Sequence, residues 1–214
     1  MVYDHAVDAG PVTVLGIAGS FRHGSLNRLL LRCAEALSPD GVVFDLYDGL
    51  EAVPHFSEDL EGDRTPASVR ELRARIGRAD AVLVATPEYN GSVPGVLKNG
   101  LDWASRPVGA SVLADKPAAV VGASPGRFGA QRAQADVRKV LTAIGAGVLD
   151  QELPVARAHE VLDERAKVLD AEVERRLAAL VASLVDVAVG PVPAELADST
   201  AYSRECQQLT AARG

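Results

Sequence analysis

Short, continuously apolar runs rich in β-formers alternate along this chain with segments of helical period, and that alternation narrows the fold more than any other feature. The strand-like runs are Val12–Ala18, Val42–Leu46, Ala81–Thr86 and Pro117–Ala123, with a fifth beginning at Gly147–Asp150. Between them the spacing predicts helices over Ser25–Leu37, Ala67–Gly77, Pro94–Ser105 and Ala130–Ile144. A long helix is expected from Leu162 to about Val189, on the stripe Leu162, Ala166, Leu169, Val173, Leu177, Leu180 and Leu184. Strands without polar alternation are buried on both faces, as in a parallel sheet with helices above and below. Five such strands suit a doubly wound α/β sheet of order 2-1-3-4-5. Residues 1–189 then form one domain, and residues 190–214, with Pro191 and Pro193 followed by polar residues, read as a C-terminal tail.

Composition removes several functional classes. The 214 residues are 48% hydrophobic, enough for one substantial core. A net charge of -7 argues against a nucleic-acid binder, although a local basic pocket remains compatible with it. Residues 1–10 carry Asp4 and Asp8 and no apolar core, so no secretory signal is expected there. Leu177–Val189 is too short to span a bilayer and is broken by Asp186, so no membrane association is expected. Cys33 and Cys206 lack ligand spacing, and His5, His23, His55 and His159 are scattered, so no metal site is expected. Cys33 shares a helical stripe with Leu26, Leu30 and Leu37 and reads as a core residue. Lys98, Asp102 and the acidic run Glu58, Asp59, Glu61 and Asp63 read as solvated.

In a doubly wound sheet ligands bind beyond the carboxyl ends of the strands, at the point where the strand order reverses. The loops after strands 1, 3 and 4 should therefore carry the chemistry. They are "GSFRHGSLN" from Gly19, "TPEYNGS" from Thr86 and "GASPGRFG" from Gly122. The first has neither a Gly-Lys-Ser/Thr triphosphate loop nor the GxGxxG dinucleotide turn. It offers Ser20, Ser25 and Asn27 as neutral donors, Arg22 as a cationic fork, and the start of a helix near Ser25. Singly, Ser25 reads as an N-cap and Arg22 as a surface residue; as a set they suit one terminal phosphate monoester. The second loop, Pro87-Glu88-Tyr89-Asn90-Gly91, can offer backbone groups to the edge of a planar ring, with Tyr89 packed nearby. In the third, Gly126 and Gly129 permit close backbone approach, and Arg127 and Phe128 could contact a second ligand.

These three segments, with "TPEYNGSVPGVLKNGLDW" the most specific, resemble the flavin mononucleotide (FMN) loops of the NADPH-dependent FMN reductase family. This is a flavodoxin-like group that includes quinone, chromate and azo-dye reductases. The resemblance covers about residues 12–185. It implies FMN as cofactor, NADPH or NADH as co-substrate, and a small-molecule electron acceptor. It also implies phosphate contacts from Ser20, Arg22, Ser25 and Asn27, and ring contacts from Pro87, Glu88, Tyr89, Asn90 and Gly91. Ser124, Gly126 and Arg127 complete the implied site. A cytoplasmic homodimer or homotetramer working by ping-pong two-electron transfer is expected, and no catalytic side chain is assigned. The alternatives are a flavodoxin-type electron carrier, a module that has kept the fold without flavin, and a reductase that supplies reduced FMN to a monooxygenase.

Overall fold

A computed structural model describes residues 10–190. The tail expected over 190–214, and Cys206 within it, lie outside the described residues except for Gly190. The chain runs β1 (Val12–Ala18), α1 (Leu26–Ala36), β2 (Val42–Tyr47), α2 (Ala67–Arg78), β3 (Ala81–Ala85) and α3 (Gly95–Ala104). It continues through β4 (Pro117–Ala123), α4 (Gln131–Ile144), β5 (Gly147–Val155), α5 (Ala158–Val161) and α6 (Ala171–Val189). The five strands form one sheet of order β2-β1-β3-β4-β5, all pairs parallel, as the alternation requires.

The two faces of the sheet are covered differently. Leu15, Ile17, Val82, Val84 and Val120 pack with α2, α3 and α4. Val14, Leu83, Ala119 and Val121 pack on the other side with α1 and α6. Trp103 is fully buried in the first layer, where its Nε1–H donates to Pro54 O at 2.8 Å and Phe56 meets its ring edge-on. Each buried Leu or Val contributes about 1.5–3 kcal/mol. Among the described residues no helix is long and apolar enough to cross a membrane.

Two expectations change. The long helix does not begin at Leu162. Asp163 Oδ1 accepts from the N–H groups of Arg165 and Lys167, both at 2.9 Å, and Leu162 bridges back to Val168. Ala166 takes a positive φ of 61° in the same turn. Local carboxylate-to-backbone bonds of this kind compete with helix. α6 starts only after Asp170, whose side chain caps Glu172 and Val173 at 3.0 Å each. Of the proposed stripe, Leu169 is exposed, while Leu177, Leu180 and Leu184 are buried. The acidic run is likewise not wholly solvated, because Glu61 accepts from Arg106 Nε at 2.6 Å.

Cys33 is fully buried on α1, and burial, helped by the negative charge of Asp163, pushes its thiol up to about 11. Only the thiolate reacts readily with alkylating reagents. Iodoacetamide at pH 8 should therefore leave Cys33 unmodified in the folded protein and label it after unfolding in urea, as read by peptide mass spectrometry. Labelling of the native protein would mean that the α1 layer opens.

Candidate functional site

The sheet delivers three loops to one edge and aims each by one further backbone bond. Gly19 N–H donates to Ala85 O at 2.8 Å, Thr86 N–H to Val121 O at 2.9 Å, and Ser124 N–H to Val155 O at 3.1 Å. The loops after β1 and β3 also touch. A Cβ on Gly19 would lie 2.9 Å from Leu97 Cδ2 and 3.2 Å from Pro87 Cδ, so glycine permits the approach.

In the first loop Ser20 and Ser25 are buried and Arg22 is exposed. Ser25 caps α1, its Oγ accepting from Arg28 N–H at 3.3 Å, and Ser20 Oγ accepts from Arg22 N–H at 3.4 Å. The first turn of α1 directs N–H groups without intrahelical partners at this loop. Arg22 enters no ion pair among the described residues. A cavity of about 710 Å³ opens here and runs over the start of α1. Arg22, Arg28 and Arg32 face Asp48, Glu51 and Glu164 across it, so its charges balance.

Asn27 lies beside these groups, but its side chain is turned inward and buried. Its Nδ2–H donates to Ala123 O at 3.0 Å, and its Oδ1 accepts from Ala123 N–H at 2.9 Å. The carboxamide of the first loop is thus bound to the start of the third.

The second loop is a two-residue hairpin. Tyr89 and Ser92 exchange both backbone bonds at 3.1 Å, and Asn90 and Gly91 have φ of 53° and 77°. Positive φ at both central positions is the type I′ turn that Asn-Gly favours. Tyr89 is half exposed at the tip. Glu88 points away from it, and its Oε2 accepts from Arg132 N–H at 3.0 Å and Ala133 N–H at 3.4 Å. These amides open α4, whose own N-cap is Ala130, with φ of 60° and no side-chain bond to offer. The missing cap comes from another loop. Ser92 Oγ adds a 2.5 Å bond to Asp136 Oδ2 on the same helix.

The third loop is fastened to the segment after β5. Ser124 Oγ accepts from Gly126 N–H at 3.0 Å, Gly126 O accepts from Arg157 N–H and Ser124 O from Ala158 N–H, both at 3.0 Å. Gly129 has φ of 56°, and a Cβ there would sit 2.5 Å from the carbonyl carbon of Pro154. Beneath it Gln134 is buried, Nε2 donating to Gly129 O at 2.9 Å while Oε1 lacks a protein partner. At the rim the Arg127 guanidinium lies 4.5 Å from the ring centre of Phe128, which is exposed. The residues singled out from sequence therefore share one edge. Ala123, Gln134 and Asp136 complete their support, and sequence reading missed all three. An unguarded helix start at Ala130 is the one local sign that a cap had to come from elsewhere.

Residues 12–160, which span all three loops, match the NADPH-dependent FMN reductase family. The chain belongs to that family. This FMN reductase relative is an oxidoreductase with FMN as cofactor and NAD(P)H as reductant. It is 42% identical over 160 residues to the NAD(P)H-dependent FMN reductase of Pseudomonas aeruginosa, covering 74% of this chain and 85% of that one. It is 36% identical over 162 residues to a 2-hydroxy-1,4-benzoquinone reductase of a Burkholderia species, covering 75% and 87%. Among solved structures it resembles FerB, a flavoenzyme NAD(P)H:(acceptor) oxidoreductase from Paracoccus denitrificans. There the TM-score is 0.74 and the identity 38%, over 83% of this chain and 97% of FerB.

The donor set fits FMN. Buried hydroxyls, a helix start and an unpaired guanidinium gather at one end, and a backbone hairpin with little covering bulk stands at the other.

The Glu88 bond can be tested on stability. Glu88→Ala should uncap α4 and cost about 0.5–2 kcal/mol in urea denaturation. Glu88→Gln keeps an acceptor oxygen and should lose clearly less. Equal losses would show that the carboxylate's charge, and not its hydrogen bonds, matters at this helix end.

Proposed function

We propose that this protein is an NAD(P)H-dependent quinone reductase that holds FMN across the three loops. The observation that carries the reading is the convergence of a phosphate-type donor set and an open backbone hairpin at the strand-order reversal. The names of the relatives support a quinone as acceptor. Ser20, Ser25, the Asn27 N–H and Arg22 hold the phosphate, as a helix start with one guanidinium is suited to do. Backbone groups of Pro87 to Gly91 follow one edge of the ring, with Tyr89 beside it. Ser124, Gly126 and Arg127 close the far side.

Bound FMN supplies the two-electron centre that accepts hydride from the nicotinamide and passes it to the acceptor. The chain binds, aligns and leaves one face open. Hydride transfer depends on close, aligned atoms, so no side-chain acid or base is assigned. The exposed Phe21, Tyr89 and Phe128 on the three loops support a homodimer or homotetramer with the site near an interface. A cytoplasmic location belongs to the same reading.

One open face means that NAD(P)H and quinone occupy the same place in turn. Double-reciprocal plots should be parallel, and excess quinone should inhibit competitively against NAD(P)H. Intersecting lines would rule out a shared face. Anaerobic NADPH or NADH should bleach the flavin absorbance of the FMN-loaded protein, and benzoquinone should restore it. Failure of both nucleotides to bleach it would sink the reductase reading.

The phosphate assignment makes a separate prediction. FMN should bind far more tightly than riboflavin. Arg22→Ala should cost about 1.5–3 kcal/mol of FMN affinity, roughly ten- to a hundredfold, and leave riboflavin binding unchanged. Fluorescence titration of the apoprotein with each flavin measures both.

A further inference from the structure

The geometry points to Asn27 as a positioning residue that takes the place of a departed strand and ties the phosphate loop to the third loop. The inference rests on the FMN reading above and goes beyond it, because it separates the side chain of Asn27 from the phosphate contacts.

The register of the sheet creates the need for such a residue. Ala85 on β3 is the partner of Val121 on β4, and Thr86 N–H donates to Val121 O. Peptide groups on one strand alternate sides, so Ala123, two residues on, also turns its N–H and C=O toward β3. Continuing the ladder would bring the Thr86 C=O to its N–H and the Glu88 N–H to its C=O, but β3 ends at Ala85 and the chain turns out of the sheet at Thr86-Pro87. Ala123 is buried, and its peptide groups need partners on that side. Asn27 provides them. A carboxamide carries the same donor and acceptor as a peptide, and here it makes both bonds, across 96 residues of sequence.

Asn27 stands in the first turn of α1, directly after the first loop, and Ala123 ends β4, directly before the third, while the second loop leaves the sheet between them. Gly19 presses Leu97 and Pro87 from the opposite flank. Moving the first loop away from the third leaves buried amide groups of Asn27 and Ala123 unpaired, at a cost larger than the net worth of the bond itself. The phosphate end and the ring end of the site are thereby held at a fixed separation.

A phosphate ligand and a positioning residue predict different results with two flavins. Apoprotein affinities for FMN and riboflavin are measured for wild type, Arg22→Ala and Asn27→Ala, well below the unfolding temperature of each. Arg22→Ala should collapse the preference for FMN. Asn27→Ala should weaken both flavins together, by about tenfold, and keep the preference. Simple destabilisation would lower the melting temperature and leave the affinity of folded protein unchanged, so it does not imitate this result. If Asn27→Ala does not fold, Asn27→Ser is the second variant. It is uncharged, so it adds no repulsion toward a phosphate, its short hydroxyl cannot make both bonds to Ala123, and it too should weaken both flavins equally. A loss confined to FMN would overturn the proposal and make the side chain a phosphate ligand. Unchanged affinity for both flavins would overturn it as well. An Arg22→Ala protein that keeps its full preference for FMN would instead refute the phosphate reading of the first loop, with the Asn27 comparison still decisive on its own question.

Discussion

The reversal of direction at β1 is the constraint on which the rest of the molecule depends. From β1 the chain crosses to β2 on one side through α1, whereas β3 and β4 continue to the other side through α3 and α4. α1 packs on one face of the sheet, and α3 and α4 on the opposite face. The loops after β1 and β3 touch at Gly19 and Pro87 and then lead to helices on opposite faces, and that parting opens the sheet edge without any need to carve a crevice out of the core. The core is then free to be apolar throughout. Strands such as Ala81–Ala85 are buried at every position, and polar residues are reserved for the edge.

A crevice made by diverging loops would be loose if the loops were held only at their strand ends. Two side-chain bonds counter this. Glu88 reaches from the second loop to the helix that follows the third, and Asn27 reaches from the first loop to the strand that precedes the third. Each satisfies backbone groups that local structure leaves without partners: a helix start whose cap position is alanine, and a strand end that outruns its neighbour, β3, which stops at Ala85. The polar residues of the loops divide into those left exposed and those tying neighbouring elements together. Arg22 and Tyr89 belong to the first group, and Asn27 and Glu88 to the second.

Sequence reading reaches the sheet order, the helices on both faces and the three loops, because all of these follow from local period and from rules of chain topology. It does not reach the division between the two groups. Asn27 and Ala123 are far apart in the chain, and no periodicity or spacing marks a hydrogen bond between them. The Asn90-Gly91 turn is legible as an accessible backbone, since its positive φ values are a local property. The long helix from Leu162 fails for the converse reason. Its apolar stripe runs at helical spacing through two aspartates, Asp163 and Asp170, each of which bonds to its own downstream backbone and so ends or begins a helix locally. Glu61 looks solvated in sequence because its partner, Arg106, lies on the far side of α2 and α3 in the chain.

α6 lies beyond the segment that matches the family model, which ends at residue 160. Yet Leu177, Leu180, Val181 and Leu184 are among the most buried residues of the chain and close the layer over Ala119, Val121 and Leu153. The segment that matches the family model is therefore smaller than the unit that folds. A chain ending at residue 160 would retain every residue of the three loops and lose the apolar cover over β4 and β5. What α6 gives the fold is apolar volume along one stripe, supplied from outside the three loops.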